Sequence, residues 1–178
     1  MASVSTSPKT NDSAERGPAP AEKITPFLWF DDKAEEAMNF YTSLFPNSEI
    51  LGVTRYSELG PGPEGAVMTA NFRLAGQQFV ALNGGPHFKF NESISFVINC
   101  ETQEEVDHYW EKLTADGGQE SQCGWLKDKY GLSWQVTPTI LIQLIQDPDK
   151  EKGERVFEAM MKMKKIEIPQ LLAAADAK

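Results

Sequence analysis

The stretch EEAMNFYTSL, residues 35–44, decides the fold, because a related stretch, EEVDHYWEKL, follows 69 residues later at 104–113. The two stretches share a Glu-Glu pair, an aromatic pair and a Leu at matching positions. Self-similarity at one fixed offset is typical of a chain built from repeated supersecondary units. The sequence therefore predicts two similar halves.

Both stretches have the apolar pattern of a helix that packs one face on a core. The apolar residues of the first copy that fall at helical spacing are Ala34, Ala37, Met38, Tyr41, Leu44 and Phe45. Those of the second copy are Val106, Tyr109, Trp110 and Leu113. Asp32 with Glu35 is predicted to cap the first helix, and Thr102 with Glu105 to cap the second.

Strand candidates surround both helices. ITPFLWF at 24–30 precedes the first helix, and SEILGVTRY, GAVMTANFRL and QQFVALN follow it, separated by Gly and Pro turns. SISFVIN at 93–99 precedes the second helix, and the shorter GQESQC, GWLKD and LSWQVTP follow it. The predicted class is α+β with tandem βαβββ units. We expect the two sheets to pair into one curved surface with a ligand pocket between them.

The chain divides into three expected segments. Residues 1–22 are rich in Ser, Pro and Ala, which predicts a disordered tail. Residues 23–147 are expected to form the domain, with its units at 23–83 and 92–138. Residues 148–178 are expected to form a C-terminal helical arm.

The arm has an apolar stripe of its own. Val156, Phe157, Met160 and Met163 lie on or beside one helical face. Such a stripe needs an apolar surface to cover it, and the sequence leaves two choices open. The arm packs on a partner subunit, or it folds back on its own domain.

Composition excludes several functions. A net charge of −9 and a pI near 4.8 argue against a nucleic-acid-binding protein, which needs a basic face. No apolar run reaches the roughly 18 residues of a membrane span, and the opening lacks the apolar core of a secretory signal. We expect a cytoplasmic protein whose two cysteines, Cys100 and Cys123, are thiols.

Four segments resemble a known family. ITPFLWFDDKAEEAMNFYTSLFPNSEI, LNGGPHFKFNESISF, CGWLKDKYGLSWQVTP and RVFEAMMKMKKIEIPQL are similar to the PhnB-like branch of the vicinal oxygen chelate (glyoxalase/bleomycin resistance/dioxygenase) superfamily. This branch also carries the label 3-demethylubiquinone 3-methyltransferase-like. The resemblance implies the glyoxalase fold and a homodimer, which favours the partner subunit as the surface that covers the arm.

The resemblance also implies where a metal would bind. Enzymes of this superfamily typically offer a His early in the first strand of each unit and a Glu on the last strand. Thr25 and Ser93 stand at the two His positions, and Gln135 stands at the second Glu position. The first Glu position falls on Ala81 or Asn83, depending on the register. Because these side chains are neutral, we expect no metal and no other cofactor.

The side chains expected around the pocket are polar or aromatic. The predicted ligand-binding residues are Thr25, Phe27, Trp29, Arg55, Asn83, His87, Ser93, Ser95, Trp125, Lys127 and Gln135, with Trp134 nearby. Strand alternation places Thr25, Phe27 and Trp29 on one face. For some of these residues a structural role stays open: the tryptophans as core residues, Lys127 as half of an exposed turn pair with Asp128, and His87 as a loop residue.

Three functions remain open from the sequence. The favoured one is a small-molecule-binding protein that lacks the usual metal site. The first alternative is a metal-dependent lyase, isomerase or dioxygenase of the same superfamily. The second is the methyltransferase of the family label, although no Gly-rich loop follows a strand and opens a helix, as the doubly wound class requires.

Overall fold

The first half of the chain forms a βαβββ unit. The structure is a computed structural model that describes residues 23–177, so the tail expected at residues 1–22 lies outside the described part.

The elements of the first unit are β1 Phe27–Phe30, α1 Ala34–Leu44, β2 Glu49–Arg55, β3 Val67–Leu74 and β4 Gln77–Asn83. They make a sheet of order β1-β4-β3-β2, in which only β1 and β4 run parallel.

The second half repeats this unit with shorter strands. Its elements are β5 Phe96–Cys100, α2 Gln103–Thr114, β6 Gln119–Glu120, β7 Trp125–Lys127 and β8 Ser133–Pro138. The sheet order is β5-β8-β7-β6, and β5 runs parallel to β8. The predicted α+β class with tandem βαβββ units is therefore confirmed.

The two helices bury the faces that the sequence predicts, but the first one is capped differently. All the predicted stripe residues within α1 and α2 are buried. The expected Asp32–Glu35 cap is wrong, because no side chain next to α1 in sequence caps it. Instead, the amide of Ala34 donates a hydrogen bond of 2.8 Å to Oδ1 of Asn83, at the end of β4. A residue distant in sequence thus satisfies a free amide of the first turn.

The second helix has the predicted N-terminal motif with one difference. Thr102 Oγ1 accepts the amide hydrogen of Glu105 at 3.3 Å, as a capping box requires. The carboxylate of Glu105 returns to the amide of Glu101, at 2.6 Å, and not to that of Thr102. The side chains of Thr102 and Glu105 therefore each accept a hydrogen bond from a backbone amide at the start of α2.

The halves match each other at two different offsets. In the helices the buried Leu44 corresponds to Leu113, which is an offset of 69 residues. In the strands the buried Phe30 corresponds to Cys100, which is an offset of 70. The connection from β5 to α2 is one residue shorter than that from β1 to α1. A single alignment of the repeat therefore assigns the strand faces wrongly by one residue.

Within one chain, the two sheets meet through their helix-covered faces. Phe45 of the first unit stacks on Tyr109 of α2 at 5.1 Å between ring centroids, and Phe79 meets Phe96 at 5.2 Å. The expected pocket between two facing open sheets is not formed in this way. The outer sheet faces lie at the surface instead, where Phe27 is 58% exposed and Val97 is 50% exposed.

A buried carboxylate joins the two units. Asp128, only 2% exposed, accepts hydrogen bonds from Tyr41 Oη of α1 at 2.6 Å and from Trp134 Nε1 at 2.8 Å. Its other oxygen accepts the amides of Tyr130 and Leu132 at 2.9 and 3.0 Å. The expected exposed Lys127–Asp128 turn pair is therefore wrong for Asp128, and Trp134 is a core residue that faces away from the outer face.

Burial raises the pKa of Asp128 above its ordinary value of 3.8, and the four hydrogen bonds oppose the shift only in part. A carboxyl with a raised folded-state pKa binds its proton more tightly in the folded chain than in the unfolded chain. Lowering the pH through that pKa therefore stabilises the fold at this residue. Asp128 is a structural hydrogen-bond acceptor. Protonation of its carboxylate at low pH does not drive acid unfolding.

The arm packs within its own chain. It contains α4 Lys150–Met160 and α5 Ile168–Asp176, and it packs with α3 Thr139–Ile145, which lies within the segment predicted as the domain. A separate small core buries Val156 and Met163 of the predicted stripe, together with Leu141, Leu144, Ile166, Leu171 and Ala175. The prediction that a partner subunit covers the apolar stripe is therefore wrong for Val156 and Met163, which their own chain buries. Gln103 also ties the arm to α2, because its side chain bonds the carbonyl of Ile166 and the amide of Ile168.

We predict that Tyr41→Phe lowers the free energy of unfolding by about 1.5–3 kcal/mol, because it removes one hydrogen bond to a charged acceptor. Asp128→Ala should cost more, on the order of 3–6 kcal/mol, because it leaves the Tyr41 hydroxyl and the Trp134 indole N–H buried without an acceptor. Urea unfolding measures both. The exposed Asp32→Ala is the control and should change stability by less than about 0.5 kcal/mol; equal losses for Asp128→Ala and Asp32→Ala would contradict the structural role.

Adjacent leucines test the packing of the arm. Leu171 is fully buried, whereas Leu172 is 41% exposed. Leu171→Ala should therefore destabilise the chain by about 2–5 kcal/mol, and Leu172→Ala by much less. Light scattering on the same variants should give an unchanged mass. A mass that falls with Leu171→Ala while the melting temperature holds would mean that the arm packs on a partner.

Candidate functional site

A linker between the two units packs across β1. In residues 84–95, which we call the linker, Gly85 O accepts a 2.9 Å hydrogen bond from Trp29 Nε1. Phe88 meets the same indole edge-on at 4.9 Å. A Cβ on Gly84 would lie 2.2 Å from the indole, so only glycine fits there. Gly84 and Gly85 therefore form the surface on which the indole of Trp29 packs.

The linker and β1 enclose a cleft of about 400 Å³. We call it the aromatic cleft, and its main lining residues are Phe27, Trp29, Phe90, Ser93, Ile94 and Phe96. Ile94 is 69% exposed although it is large and apolar. Concave, mostly apolar surfaces with a few polar groups are typical of small-molecule sites.

A second hollow of about 350 Å³ shares Trp29, Lys89 and Phe90 with the aromatic cleft. Lys33 and Lys129 also line it, and Asp31 is the one carboxylate among its lining residues. Lys33 and Lys129 pair with Glu36 at 3.2 and 3.8 Å. Lys89 belongs to none of the ion pairs between residues 23 and 177. This side of the cleft is locally positive in a strongly acidic protein.

Glu36 is fixed by the same rim. Tyr130 Oη donates to its Oε1 at 2.9 Å, and this bond, followed by the one from Lys33, holds the pKa of Glu36 below its ordinary value. Burial raises the pKa of Tyr130, and its bond to Glu36 adds to the shift. Tyr130 therefore stays protonated and Glu36 stays ionised near neutral pH.

A smaller hollow of about 150 Å³ lies on the outer face of the second sheet. We call it the polar cleft, and its main lining residues are Glu92, Gln119, Ser121, Trp125, Lys127 and Ser133. Gln135 pairs with Trp125 across the strands, and its Nε2 donates a 2.9 Å hydrogen bond to Ser95 Oγ. Two adjacent linker residues line different clefts: Ser93 lines the aromatic cleft and Glu92 lines the polar cleft.

The predicted ligand-binding residues are divided between these places. Phe27, Trp29 and Ser93 line the aromatic cleft, and Trp125 and Lys127 line the polar cleft. Ser95 and Gln135 bond each other beside the polar cleft, and the half-buried Thr25 precedes β1.

Three predicted residues lie elsewhere. Asn83 caps α1, and its Nδ2 donates to Val67 O at 3.1 Å, so its side chain is already occupied. Arg55 donates to Gly65 O at 3.1 Å and lies 3.6 Å from a carboxylate oxygen of Glu35. His87 is an exposed turn residue. The structure brings none of the three into either cleft.

Several cleft residues were missed by the sequence analysis. Phe88, Lys89, Phe90 and Ile94 lie on the linker, from which the sequence predicts only His87, Ser93 and Ser95 as ligand-binding residues. The alternation in Phe88-Lys89-Phe90 was a usable signal, because it places two aromatic rings on one side of an extended chain. Ser133 was missed because a serine in a buried strand carries no pattern.

The metal positions do not fit a divalent ion. The strand offset of 70 makes Ser95, and not Ser93, the counterpart of Thr25. The same register pairs Phe27 with Val80 and Val97 with Gln135, so the counterpart of Gln135 is Val80, and not Ala81 or Asn83. Between residues 23 and 177, no three His, Cys, Asp or Glu side chains are grouped as metal ligands. The absence of a metal stays a prediction.

Larger hollows occur away from these residues. One of about 540 Å³ lies between α3 and α4, but charged side chains dominate its lining: Asp147, Lys150, Glu154 and Glu158. Another of about 440 Å³ lies where Phe45, Tyr109 and Trp134 meet. The aromatic cleft is the better candidate because it is apolar and is lined by the predicted residues Phe27, Trp29 and Ser93, none of which lines the other two.

The profile of the family described as 3-demethylubiquinone-9 3-methyltransferase matches residues 22–137. A Bacillus cereus structure described as a putative 3-demethylubiquinone-9 3-methyltransferase, PhnB protein, is 47% identical, with a TM-score of 0.61. The match covers 66% of this chain and 100% of that chain. No curated protein matches the chain.

Two further solved structures share the fold at low identity. A Pseudomonas aeruginosa protein is 18% identical with a TM-score of 0.54, and the match covers 66% of this chain and 98% of that one. The fosfomycin resistance protein FosX of Listeria monocytogenes is 16% identical with a TM-score of 0.51, over 69% of this chain and 95% of that one. At these identities the comparisons show the fold alone.

We predict that the protein purified without chelators carries no stoichiometric Zn, Ni, Mn or Fe, because neutral side chains occupy the ligand positions. Elemental analysis by mass spectrometry measures the content. One metal ion per chain that is lost on Gln135→Ala or Thr25→Ala would contradict the prediction; Gln146→Ala, at an exposed position outside both clefts, is the matched control.

Proposed function

Since the chain belongs to the 3-demethylubiquinone-9 3-methyltransferase family, within the PhnB-like part of the vicinal oxygen chelate superfamily, we propose that it is a small-molecule-binding protein without a metal. Its ligand enters the aromatic cleft. The observation that carries the proposal is the surface position of Phe27 and Ile94 beside a cleft of about 400 Å³. Large apolar side chains exposed around a concavity favour a binding role.

The lining residues indicate the chemical class of the ligand. Trp29, Phe27 and Phe90 offer faces and edges for a flat apolar body. Lys89 lies at the edge that the aromatic cleft shares with the lysine-lined hollow. The ligand we propose is an aromatic molecule that carries a negative charge.

The name of the family does not by itself assign methyl transfer to this chain. Methyltransferases of the doubly wound class bind their cofactor at a Gly-rich turn between a strand and a helix of a parallel sheet. Here each sheet contains a single parallel pair. No contact in residues 23–177 favours that activity over ligand binding.

The metal-dependent alternative has no better support. Lyase, isomerase or dioxygenase chemistry in this superfamily relies on a chelated divalent ion, and the residues at those positions are Thr25, Val80, Ser95 and Gln135. Gln135 and Ser95 already bond each other. We therefore keep binding, and not metal catalysis, as the proposal.

We also propose a homodimer in the cytoplasm. The exposed outer faces of the two sheets support self-association, because Phe27 and Val97 lie there. Phe157 and Met161 of the arm, about half exposed, offer a second apolar area. No helix in the described part of the chain is long and apolar enough to cross a membrane.

The dye 1-anilinonaphthalene-8-sulfonate tests the proposal, because it is flat, aromatic and anionic. We expect one dye per chain with enhanced fluorescence. Ile94→Asp should weaken binding at least about tenfold, since tenfold is roughly 1.4 kcal/mol and an apolar contact of this size contributes about 1.5–3 kcal/mol. Trp29→Ala should have a similar effect.

The matched control is Leu59→Asp, since Leu59 is 98% exposed in a loop away from the cleft. This variant should bind the dye like the parent chain. Circular dichroism shows that each variant is folded before titration. If Ile94→Asp and Leu59→Asp bind equally well, the dye is not in the aromatic cleft and the proposal is wrong.

A further inference from the structure

The polar cleft contains a hydroxyl that lacks a partner. Ser133 is 1% exposed, and its Oγ is the one buried side-chain N or O atom in residues 23–177 without a hydrogen bond. Buried polar groups are almost always paired, so an unpaired one asks for an explanation. Cross-strand pairing with Lys127 places Ser133 on the same face of the sheet as that lysine.

Lys127 holds a carboxylate at the mouth of the same cleft. Its ammonium forms an ion pair with Glu92 of the linker, whose side chain is 62% exposed against 31% for that of Lys127. The hydrogen bond from Lys127 is the main reason why the pKa of Glu92 lies below its ordinary value. Glu92 is therefore an ionised carboxylate on an exposed turn, and Lys127 is its one cationic partner.

The other carboxylate of the cleft does not compete for Lys127. Glu120 accepts a 3.0 Å hydrogen bond from Trp110 Nε1 and lies 3.4 Å from Lys164 Nζ. Gln135 is likewise occupied by Ser95. Of the donors that line the cleft, Lys127 is the one cation and Ser133 the one buried hydroxyl without a partner, whereas Gln119 and Ser121 are exposed to solvent.

We propose that the polar cleft binds a small carboxylate ligand and that the carboxylate of Glu92 occupies the place of that ligand until it is displaced. The incoming carboxylate replaces Glu92 on Lys127 and accepts the hydrogen bond that Ser133 Oγ cannot make in the free chain. A hollow of about 150 Å³ admits only a small molecule or the carboxylate end of a larger one. No covalent step is involved.

Displacement of Glu92 also reaches the aromatic cleft. Glu92 stands between Asn91 and Ser93, which line that cleft, and Asn91 Oδ1 accepts hydrogen bonds from the amide and hydroxyl of Ser93. Release of Glu92 from Lys127 removes the ion pair that ties this turn to β7. The ligand of the polar cleft therefore loosens one wall of the aromatic cleft.

The test uses acetate as the probe on the full chain. Sodium acetate replaces sodium chloride at constant ionic strength, and amide chemical shifts of residues 125–135 report binding. Glu92→Gln removes the intramolecular competitor, so we expect it to bind acetate at least fivefold more tightly than the parent chain. Glu58→Gln is the control, because it removes one exposed negative charge from a loop of the first unit without touching Lys127.

Two further variants identify the groups that hold the probe. Lys127→Met in the Glu92→Gln background should abolish binding, whereas Lys162→Met, at an exposed position, should not. Ser133→Ala in the same background should weaken binding about threefold. The site is overturned if Glu92→Gln binds acetate no better than Glu58→Gln, or if binding persists without Lys127.

Hydrogen exchange tests the effect on the linker. Acetate should speed amide exchange in residues 90–94 of the parent chain, as Glu92→Gln should without acetate; unchanged exchange would overturn the coupling. Trp29→Ala should leave acetate binding to the Glu92→Gln chain unchanged. The dye experiment can therefore fail without contradicting the acetate site, and the acetate experiment can fail without contradicting the aromatic cleft.

Discussion

The buried carboxylate of Asp128 is the contact on which the arrangement of the two units depends. An ionised group in a core is costly unless donors surround it, and here four donors meet it, from α1, from β8 and from the turn between β7 and β8. Because Tyr41 belongs to the first unit and Trp134 to the second, the donor set is complete only in one relative position. That position places the helices inside and the outer sheet faces at the surface.

The position of the units also defines the path of the linker. To pass from β4 to β5, residues 84–95 cross β1, and Trp29 and Phe30 of β1 pack against Phe88 and Phe90. Both candidate clefts use this segment as a wall. Function in this chain therefore depends on a connection without regular secondary structure, which is where binding residues are often found.

The helix faces, the strand order and the duplicated βαβββ pattern could be predicted, because they follow from local periodicity. The sheet face on which a single residue lies, and whether that residue is buried, could not always be predicted. The family pattern predicts Ser93 as the counterpart of Thr25 and Ala81 or Asn83 as that of Gln135, whereas the strand registers give Ser95 and Val80, because strand pairing is set by tertiary contacts. The burial of Asp128 could not be predicted, because its partner in the first unit, Tyr41, lies 87 residues away in sequence and local patterns do not report that contact. For the arm, periodicity identified Val156 and Met163 as buried but could not say which chain buries them.

The capping of α1 has a consequence for the order in which the chain acquires structure. The amide of Ala34 bonds a side chain 49 residues later, and the hydroxyl of Tyr41 bonds one 87 residues later. During synthesis, α1 leaves the ribosome long before either partner exists, so its first turn and its buried hydroxyl depend on water until β4 and then the β7–β8 turn arrive. Long-range closure of this kind slows folding. The tandem units resemble two modules in sequence, yet the first one completes its hydrogen bonds only after most of the second has been made.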